Sequence, residues 1–209
     1  MAALYKLHAH DPSPFARFAL IVGMLTVGRT AIEVVNTKTE TDELRRVNPL
    51  GKLPALEAPD GLLLFDSRVI AAYFNANRSS VAPSLVPEGP AGWADQARLA
   101  TAIGVMDAVI LVVYERRYRP EELVHQPWLD LQQGKIDRAV ALLEADAADR
   151  AGALSADTVS MGDVGVAAML GYLDVRQEGR WRATNPGLVA WLDAFRASVP
   201  AFDATTPEV

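Results

Sequence analysis

The sequence predicts two folded units of different class, an α/β unit followed by an all-helical unit. Three observations support this division. Strand-like apolar runs occur only in the first 80 residues, apolar residues beyond position 93 repeat only at helical spacing, and a segment with three prolines and two glycines lies between them. We therefore expect an α/β domain at 1–80, a linker at 81–92 and an all-helical domain at 93–209.

The N-terminal unit has the predicted order β-α-β-α-β-β-α. Residues 4–10 alternate as a half-buried strand does, and Ser13-Pro14 has the order expected for the N-cap and first residue of a helix. The remaining elements, in chain order, are a strand at 32–35, a short polar helix at 41–47, a hairpin around the turn at 59–61 and a helix opened by Asp66-Ser67.

The C-terminal unit shows helical periodicity and no strand pattern. Ser160 and Asp163 have the spacing of a capping box ahead of an apolar helix, so we assign both residues to the fold and to no ligand. The other helices are indicated by apolar positions within 99–113, 136–143 and 188–195.

Composition excludes several classes of function. Half of the residues are hydrophobic, 22% are charged and the formal net charge is −6, which argues against binding to nucleic acid or to a membrane surface. The basic cluster at 116–119 is too short to change this conclusion and is typical of a solvated helix end. With no cysteine, the chain has no thiol nucleophile and no thiolate metal site.

Neither a metal site nor a membrane segment is predicted. His8 and His10 could place two ligands on one strand face, but no third ligand lies nearby in sequence, so we expect no metal. The apolar runs at 18–27 and 103–114 are too short or too interrupted to cross a bilayer. The first residues lack the pattern of a signal peptide, and we expect a cytoplasmic protein.

Several short motifs together resemble the glutathione transferase family. They are Ser13-Pro14-Phe15, the segment Asn-Pro-Leu-Gly-Lys-Leu-Pro-Ala-Leu at 48–56, and Leu-Phe-Asp-Ser at 64–67. The segments at 106–108, 171–173 and 202–207 further resemble the bacterial YibF-like group. This resemblance implies a thioredoxin-like N-terminal domain, glutathione as a substrate without a metal, a small hydrophobic electrophile as second substrate, and a homodimer.

The resemblance also implies a set of glutathione-binding residues. Pro54 would follow a cis peptide bond, and the backbone of Leu53 would pair with the cysteinyl part of glutathione. Asp66 and Ser67, at a helix N-terminus, would bind the γ-glutamyl group, and Lys52 the glycyl carboxylate. The plainer interpretations are an ordinary loop proline, two N-cap residues and a solvated lysine.

Ser13 is the candidate for activating the glutathione thiol. A hydroxyl donor beside a helix N-terminus would lower the thiol pKa, although Ser13 could equally serve only as the helix cap. We expect the second-substrate pocket to include Phe15, Met106 and Asp107. Asp107 lies on an apolar helix, where it could face the cleft between domains and help to shape the glutathione site; a role in stabilising the fold or a dimer interface is an equal alternative.

The expected activity is transfer of glutathione to small electrophiles, or their reduction by it, as in detoxification. One alternative is another glutathione-dependent enzyme on the same fold, such as an isomerase, dehalogenase or peroxidase. The isomerases usually carry a Ser/Cys-rich loop that Asp-Pro-Ser-Pro at 11–14 does not match. The other alternative is a non-catalytic interaction protein, which predicts loss of the Asp-Ser pair or of the Leu-Pro turn.

Overall fold

A four-stranded mixed sheet forms the centre of the N-terminal half in a computed structural model, which describes residues 4–208. The strands are β1 (Tyr5–Ala9), β2 (Ile32–Asn36), β3 (Ala55–Glu57) and β4 (Leu63–Leu64), arranged in the order β2-β1-β3-β4. β1 and β2 are parallel, whereas β3 is antiparallel to both β1 and β4. Leu7, on the central strand, pairs with Val34 and Leu56.

Three helices complete this half, in the order that the sequence predicts: α1 (Pro14–Thr26), α2 (Asp42–Val47) and α3 (Ser67–Ala76). α1 and α3 pack together against the sheet. Phe18 and Phe74 are fully buried between them, and Tyr5 meets Phe74 edge to face at 5.4 Å. The sheet and its helices thus form the expected thioredoxin-like unit.

The C-terminal half is entirely helical within residues 89–208. It consists of α4 (Gly89–Tyr118), α5 (Gln126–Glu144), α6 (Ala147–Ala153), α7 (Met161–Gln177) and α8 (Pro186–Ser198), joined in places by short 3-10 turns. The thirteen residues 161–173 of α7 are all buried, so this helix forms the centre of the domain. Two details differ from the sequence-based expectation. α6 was not predicted, because its small residues give little apolar contrast, and α4 begins at Gly89, inside the expected linker.

A buried polar cluster fixes the start of α7. The Ser160 hydroxyl accepts a hydrogen bond from the Asp163 amide at 3.2 Å, and the Ser160 amide donates to the Asp163 carboxylate at 2.9 Å. The same hydroxyl donates to Asp95 of α4 at 2.5 Å, and Asp163 pairs with Arg150. The predicted capping box therefore also ties α7 to α4 and α6.

α4 is longer and more apolar than the sequence analysis anticipated. An 18-residue window of it has a mean hydropathy of 1.8, enough by length and composition to cross a membrane. The apolar residues of α4 instead pack against α5 and α7, with Leu99, Met106 and Val109 in the shared core. The helix is partly buried in this way: 39% of the window lies inside the fold, and Leu111 and Tyr114 are exposed.

Arg17 joins the two halves of the molecule. Its guanidinium donates to the carbonyl oxygen of Phe202 at 2.8 Å and lies 4.0 Å from the centroid of that residue's ring. Burial lowers the pKa of Arg17 to about 10, against an opposing effect of Asp203, so the side chain remains charged at neutral pH. This contact fastens the C-terminal segment to α1, one turn beyond Ser13.

Candidate functional site

A cleft of about 330 Å³ lies between the two halves of the molecule. Its walls come from the N-termini of α1 and α3, the loop before β3, and the facing sides of α4 and α7. Eight of the nine residues that we predicted for the site line this cleft: Ser13, Phe15, Lys52, Leu53, Pro54, Asp66, Ser67 and Asp107. Residues far apart in sequence are therefore brought to one cavity.

Ser13 stands at the first strand-to-helix junction and caps α1. The Ala16 amide donates to the Ser13 hydroxyl oxygen at 3.3 Å, and Pro14 is the first helical residue, as predicted. The hydroxyl is an acceptor in this bond, so its own proton remains available to a ligand atom in the cleft. The cap and a role in catalysis are thus geometrically compatible.

The loop before β3 presents the backbone of Leu53. The Leu53–Pro54 peptide bond is cis, as the resemblance implied. The Asn48 side chain holds the loop from within, because its amide donates to the Lys52 carbonyl at 2.7 Å and its oxygen accepts from the Leu50 amide at 3.0 Å. The Lys52 side chain is exposed, while Pro54 is buried.

The N-terminus of α3 forms another part of the cleft wall that the N-terminal half contributes. Asp66 is the N-cap and accepts from the Arg68 and Val69 amides at 3.0 and 3.4 Å. Its second oxygen pairs with the Arg68 guanidinium at 3.3 Å. Ser67 is the first residue of the helix, and only 3% of its surface is exposed. The partial positive charge of this helix end and the Ser67 hydroxyl suit an anion.

Asp107 lies on the α4 wall and is exposed to the cleft. Partial burial raises the pKa of its carboxyl; Lys52 and Arg68 oppose this effect, and Asp66 reinforces it. These neighbours place Asp107 on the side of the cleft that holds the Leu53 loop and the α3 N-terminus. The charge on this apolar helix therefore faces water and other charged groups.

Met106 does not contribute to the cleft, contrary to our expectation. It is fully buried in the core that α4 shares with α7. Successive residues on a helix are rotated by about 100°, so a residue adjacent to Asp107 points away from the cleft. The cleft-facing side of α4 instead consists of Ile103, Asp107, Ile110, Val113, Tyr114, Arg117 and Tyr118.

Several cleft residues were not identified from the sequence. Arg117 belongs to the basic cluster that we interpreted as a solvated helix end, and Arg176 was not considered. Three tyrosines, Tyr114, Tyr118 and Tyr172, also line the cleft. A helical-wheel projection from Asp107 would have found Tyr114 and Tyr118, because positions seven and eleven residues further on share its face. No sequence pattern indicates that α7 contributes residues to the same cavity.

The two histidines of the His-x-His pair make hydrogen bonds to neighbouring residues of the N-terminal half. His8 is buried and its ring nitrogens hydrogen-bond Thr37 at 2.9 Å and Glu57 at 2.8 Å, whereas His10 bonds Asn36 at 2.8 Å. Across residues 4–208, no group of three or more histidine or acidic side chains is arranged to hold a metal ion.

Comparison with known families gives two matches along the chain. Residues 12–77 match the N-terminal domain of glutathione S-transferase, and residues 126–194 match the C-terminal domain of the same family. The chain is also 33% identical over 187 residues to the uncharacterized GST-like protein YibF of Escherichia coli (strain K12), covering 88% of this chain and 90% of that protein.

Solved structures give the same result. A glutathione transferase family member from Pseudomonas fluorescens Pf-5 with bound glutathione is 34% identical, with a TM-score of 0.89 over 98% of this chain and 100% of that chain. A second structure from this source contains S-(propanoic acid)-glutathione and is 35% identical, with a TM-score of 0.82 and coverage of 98% of both chains. A glutathione S-transferase from Methylobacillus flagellatus KT with glutathione bound is 31% identical, with a TM-score of 0.85 over 98% and 100% of the chains.

The cleft joins a thioredoxin-like half to a helical half, and both halves match one family at substantial identity along nearly the whole chain. This protein belongs to the glutathione S-transferase family.

Proposed function

We propose that this protein is a glutathione transferase, in which the thiolate of bound glutathione attacks a small electrophile. One observation carries the proposal. A single cleft brings together the N-terminus of α1 with Ser13, the Leu53 backbone before the cis-proline, and the N-terminus of α3 with Ser67. The first of these groups suits a thiolate, the second an extended peptide and the third a carboxylate.

Each part of glutathione has a complementary group in this arrangement. The Leu53 backbone pairs with the cysteinyl unit as an added strand would. The α3 N-terminus and the Ser67 hydroxyl bind the γ-glutamyl carboxylate, and the carboxylates of Asp66 and Asp107 attract its ammonium group. Lys52, exposed at the edge of the cleft, attracts the glycyl carboxylate. The glutathione-containing structures of related family members support glutathione as the ligand.

Ser13 activates the nucleophile in this proposal. A thiol with a pKa near 8.5 is only a few per cent ionised at neutral pH, and a fall of about two units raises the thiolate fraction roughly twentyfold. The Ser13 hydroxyl donates to the sulfur while the N-terminus of α1 adds its partial positive charge. In a displacement, the sulfur forms a bond to carbon, the leaving group departs with its bonding pair, and the thiol proton passes to solvent.

The second substrate is a small hydrophobic electrophile held against Phe15 and the facing sides of α4 and α7. We further propose a cytoplasmic homodimer with no nucleic-acid or membrane partner and a role in detoxification. The acidic net charge supports both exclusions.

Turnover tests the proposal directly. Wild-type protein with millimolar glutathione should accelerate the release of chloride from chlorodinitrobenzene above the uncatalysed rate. A panel of aryl halides, enones and epoxides extends the assay to other electrophiles. Acceleration of none of these substrates by folded protein would contradict transferase activity, and a separate titration with glutathione would then show whether binding also fails.

A further inference from the structure

Two arginines line the cleft on the side of the helical half. Arg117 lies near the end of α4 and Arg176 in the last turn of α7, and both line the cavity together with Tyr114, Tyr118 and Tyr172. Apart from Asp107, the other residues of this wall are aliphatic. A pocket for a purely hydrophobic electrophile has no need of two cations.

Both arginines influence the same residue of the wall, Tyr172. The Arg176 guanidinium lies 5.6 Å from the centroid of the Tyr172 ring. Burial raises the pKa of Tyr172, and the two positive charges oppose this effect, Arg176 more strongly than Arg117. Arg117 and Arg176 therefore both influence Tyr172 and line one cavity with it, although they come from different helices.

Neither arginine has an acidic partner within the part of the chain that the structure describes. The Arg176 Nε atom is buried and has no hydrogen-bond partner there. The acids that line the cleft act elsewhere: Asp66 pairs with Arg68, and Asp107 faces Lys52 and Arg68. The third acid, Asp11, is close enough to Arg17 to raise the pKa of that guanidinium. The helical side of the cleft therefore carries uncompensated positive charge.

Helix polarity alone explains only part of this arrangement. Cations are favourable in the last turn of a helix wherever their side chains point. Arg116 occupies the same last turn of α4, yet it lines a second cavity of about 860 Å³, which Val113 and Arg176 also border. Arg117 lines the cleft and does not line this second cavity. The helix dipole does not account for two cations from different helices lining one cavity with Tyr172.

We propose that the electrophile accepted by this cleft carries a carboxylate on an apolar body, and that Arg117 and Arg176 bind that carboxylate. This inference rests on the proposed transferase function and narrows its substrate class. The planar guanidinium groups match a carboxylate in geometry, and the tyrosine rings provide the surface on which an aromatic body packs.

A suitable probe is the chloronitrobenzoate whose chlorine is ortho to the nitro group and para to the carboxylate. The thiolate sulfur forms a bond to the ring carbon that bears chlorine, chloride leaves with its bonding pair, and the thiol proton passes to solvent. The methyl ester has the same ring and leaving group without the charge, and each rate is divided by its own uncatalysed rate.

Equilibrium binding of the two glutathione thioethers formed in these reactions tests the inference even if turnover is slow. By calorimetry, the acid conjugate should bind wild-type protein about tenfold more tightly than the ester conjugate, since charge-assisted hydrogen bonds are the stronger ones. The preference should fall as sodium chloride is added, because Arg117 is exposed. Equal or tighter binding of the ester conjugate would overturn the inference.

Matched variants test whether Arg117 and Arg176 cause the preference for the acid conjugate. Arg117→Gln and Arg176→Gln should each reduce the acid preference several-fold and leave binding of glutathione itself unchanged, whereas Arg116→Gln should retain the preference. A preference that survives in both cleft variants overturns the assignment. Normal glutathione binding without an acid preference refutes only this inference, and absence of glutathione binding refutes the proposed function itself.

Discussion

The Ser13 hydroxyl oxygen accepts a hydrogen bond of 3.3 Å from the Ala16 amide, and at the same position it lines the cleft. One side chain thus caps α1 and faces the site where we propose that the thiol binds. Because the hydroxyl proton is not used by the cap, one side chain can fill both roles, and unfolding and the thiolate pKa measure them separately.

We expect Ser13→Ala to impair chemistry more than folding. Loss of the cap should lower the free energy of unfolding by about 0.5–2 kcal/mol. The pKa of the thiol of bound glutathione should rise, and turnover should fall. The fall should be limited to roughly tenfold, because the helix N-terminus remains to stabilise the thiolate. The thiolate pKa is measured by ultraviolet absorbance against pH, and Ser13→Thr should restore part of the loss. An unchanged thiolate pKa in folded Ser13→Ala would limit Ser13 to capping.

Asp107 should make glutathione binding depend on pH. Its raised pKa means that it takes up a proton at a higher pH than an ordinary aspartate, and the protonated form no longer attracts an ammonium group. Affinity should therefore fall with decreasing pH, beginning above the usual aspartate range. Asp107→Asn should weaken binding at neutral pH by roughly two- to fivefold, as expected of an exposed charge pair. Parallel pH profiles for wild type and Asp107→Asn, measured by calorimetry, would exclude this role.

The start of α7 should be a sensitive point for stability. Ser160→Ala removes a cap and also leaves the buried Asp95 carboxylate without one of its donors, so we expect a loss of about 1–3 kcal/mol in denaturant unfolding. Thr41→Ala is the matched control, because Thr41 also caps a helix but on the exposed α2. Equal losses in the two variants would show that the link to α4 contributes nothing.

A dimer is expected through apolar side chains that the single chain leaves exposed. Trp93 at the start of α4 is 80% exposed, Val69 on α3 is 46% exposed, and Leu62 and Leu63 of the hairpin are also open to solvent. Sedimentation of wild type at micromolar concentration should give twice the chain mass of 22.6 kDa. Trp93→Glu should shift the equilibrium towards monomer, and wild type that sediments only as monomer would contradict the prediction.

Much of the N-terminal half could be predicted from local sequence. Turns, caps and alternation are properties of neighbouring residues, so the Ser13-Pro14 start, the hairpin turn and the Asp66 cap appear directly in the sequence. The element order and the cluster of Ser13, Leu53, Pro54 and Ser67 followed from these signals and from the family resemblance.

The helical wall of the cleft could not be predicted in the same way. Met106 and Asp107 are neighbours in sequence, but which of them faces the cleft depends on how α4 packs against α7. Arg176 joins Arg117 only because α7 ends beside the end of α4, a tertiary relationship that no local pattern contains. α6 was missed because a helix of seven residues rich in alanine shows no apolar face.

The central claim is that this cleft binds glutathione through the N-terminus of α3. Calorimetric titration of wild type, Ser67→Ala and the exposed control Ser80→Ala with glutathione tests it most directly. Wild type and Ser80→Ala should bind alike, and Ser67→Ala should bind roughly ten- to a hundredfold more weakly, through loss of a charge-assisted hydrogen bond. No heat from folded wild type at millimolar glutathione, or identical affinity in Ser67→Ala, would contradict the account.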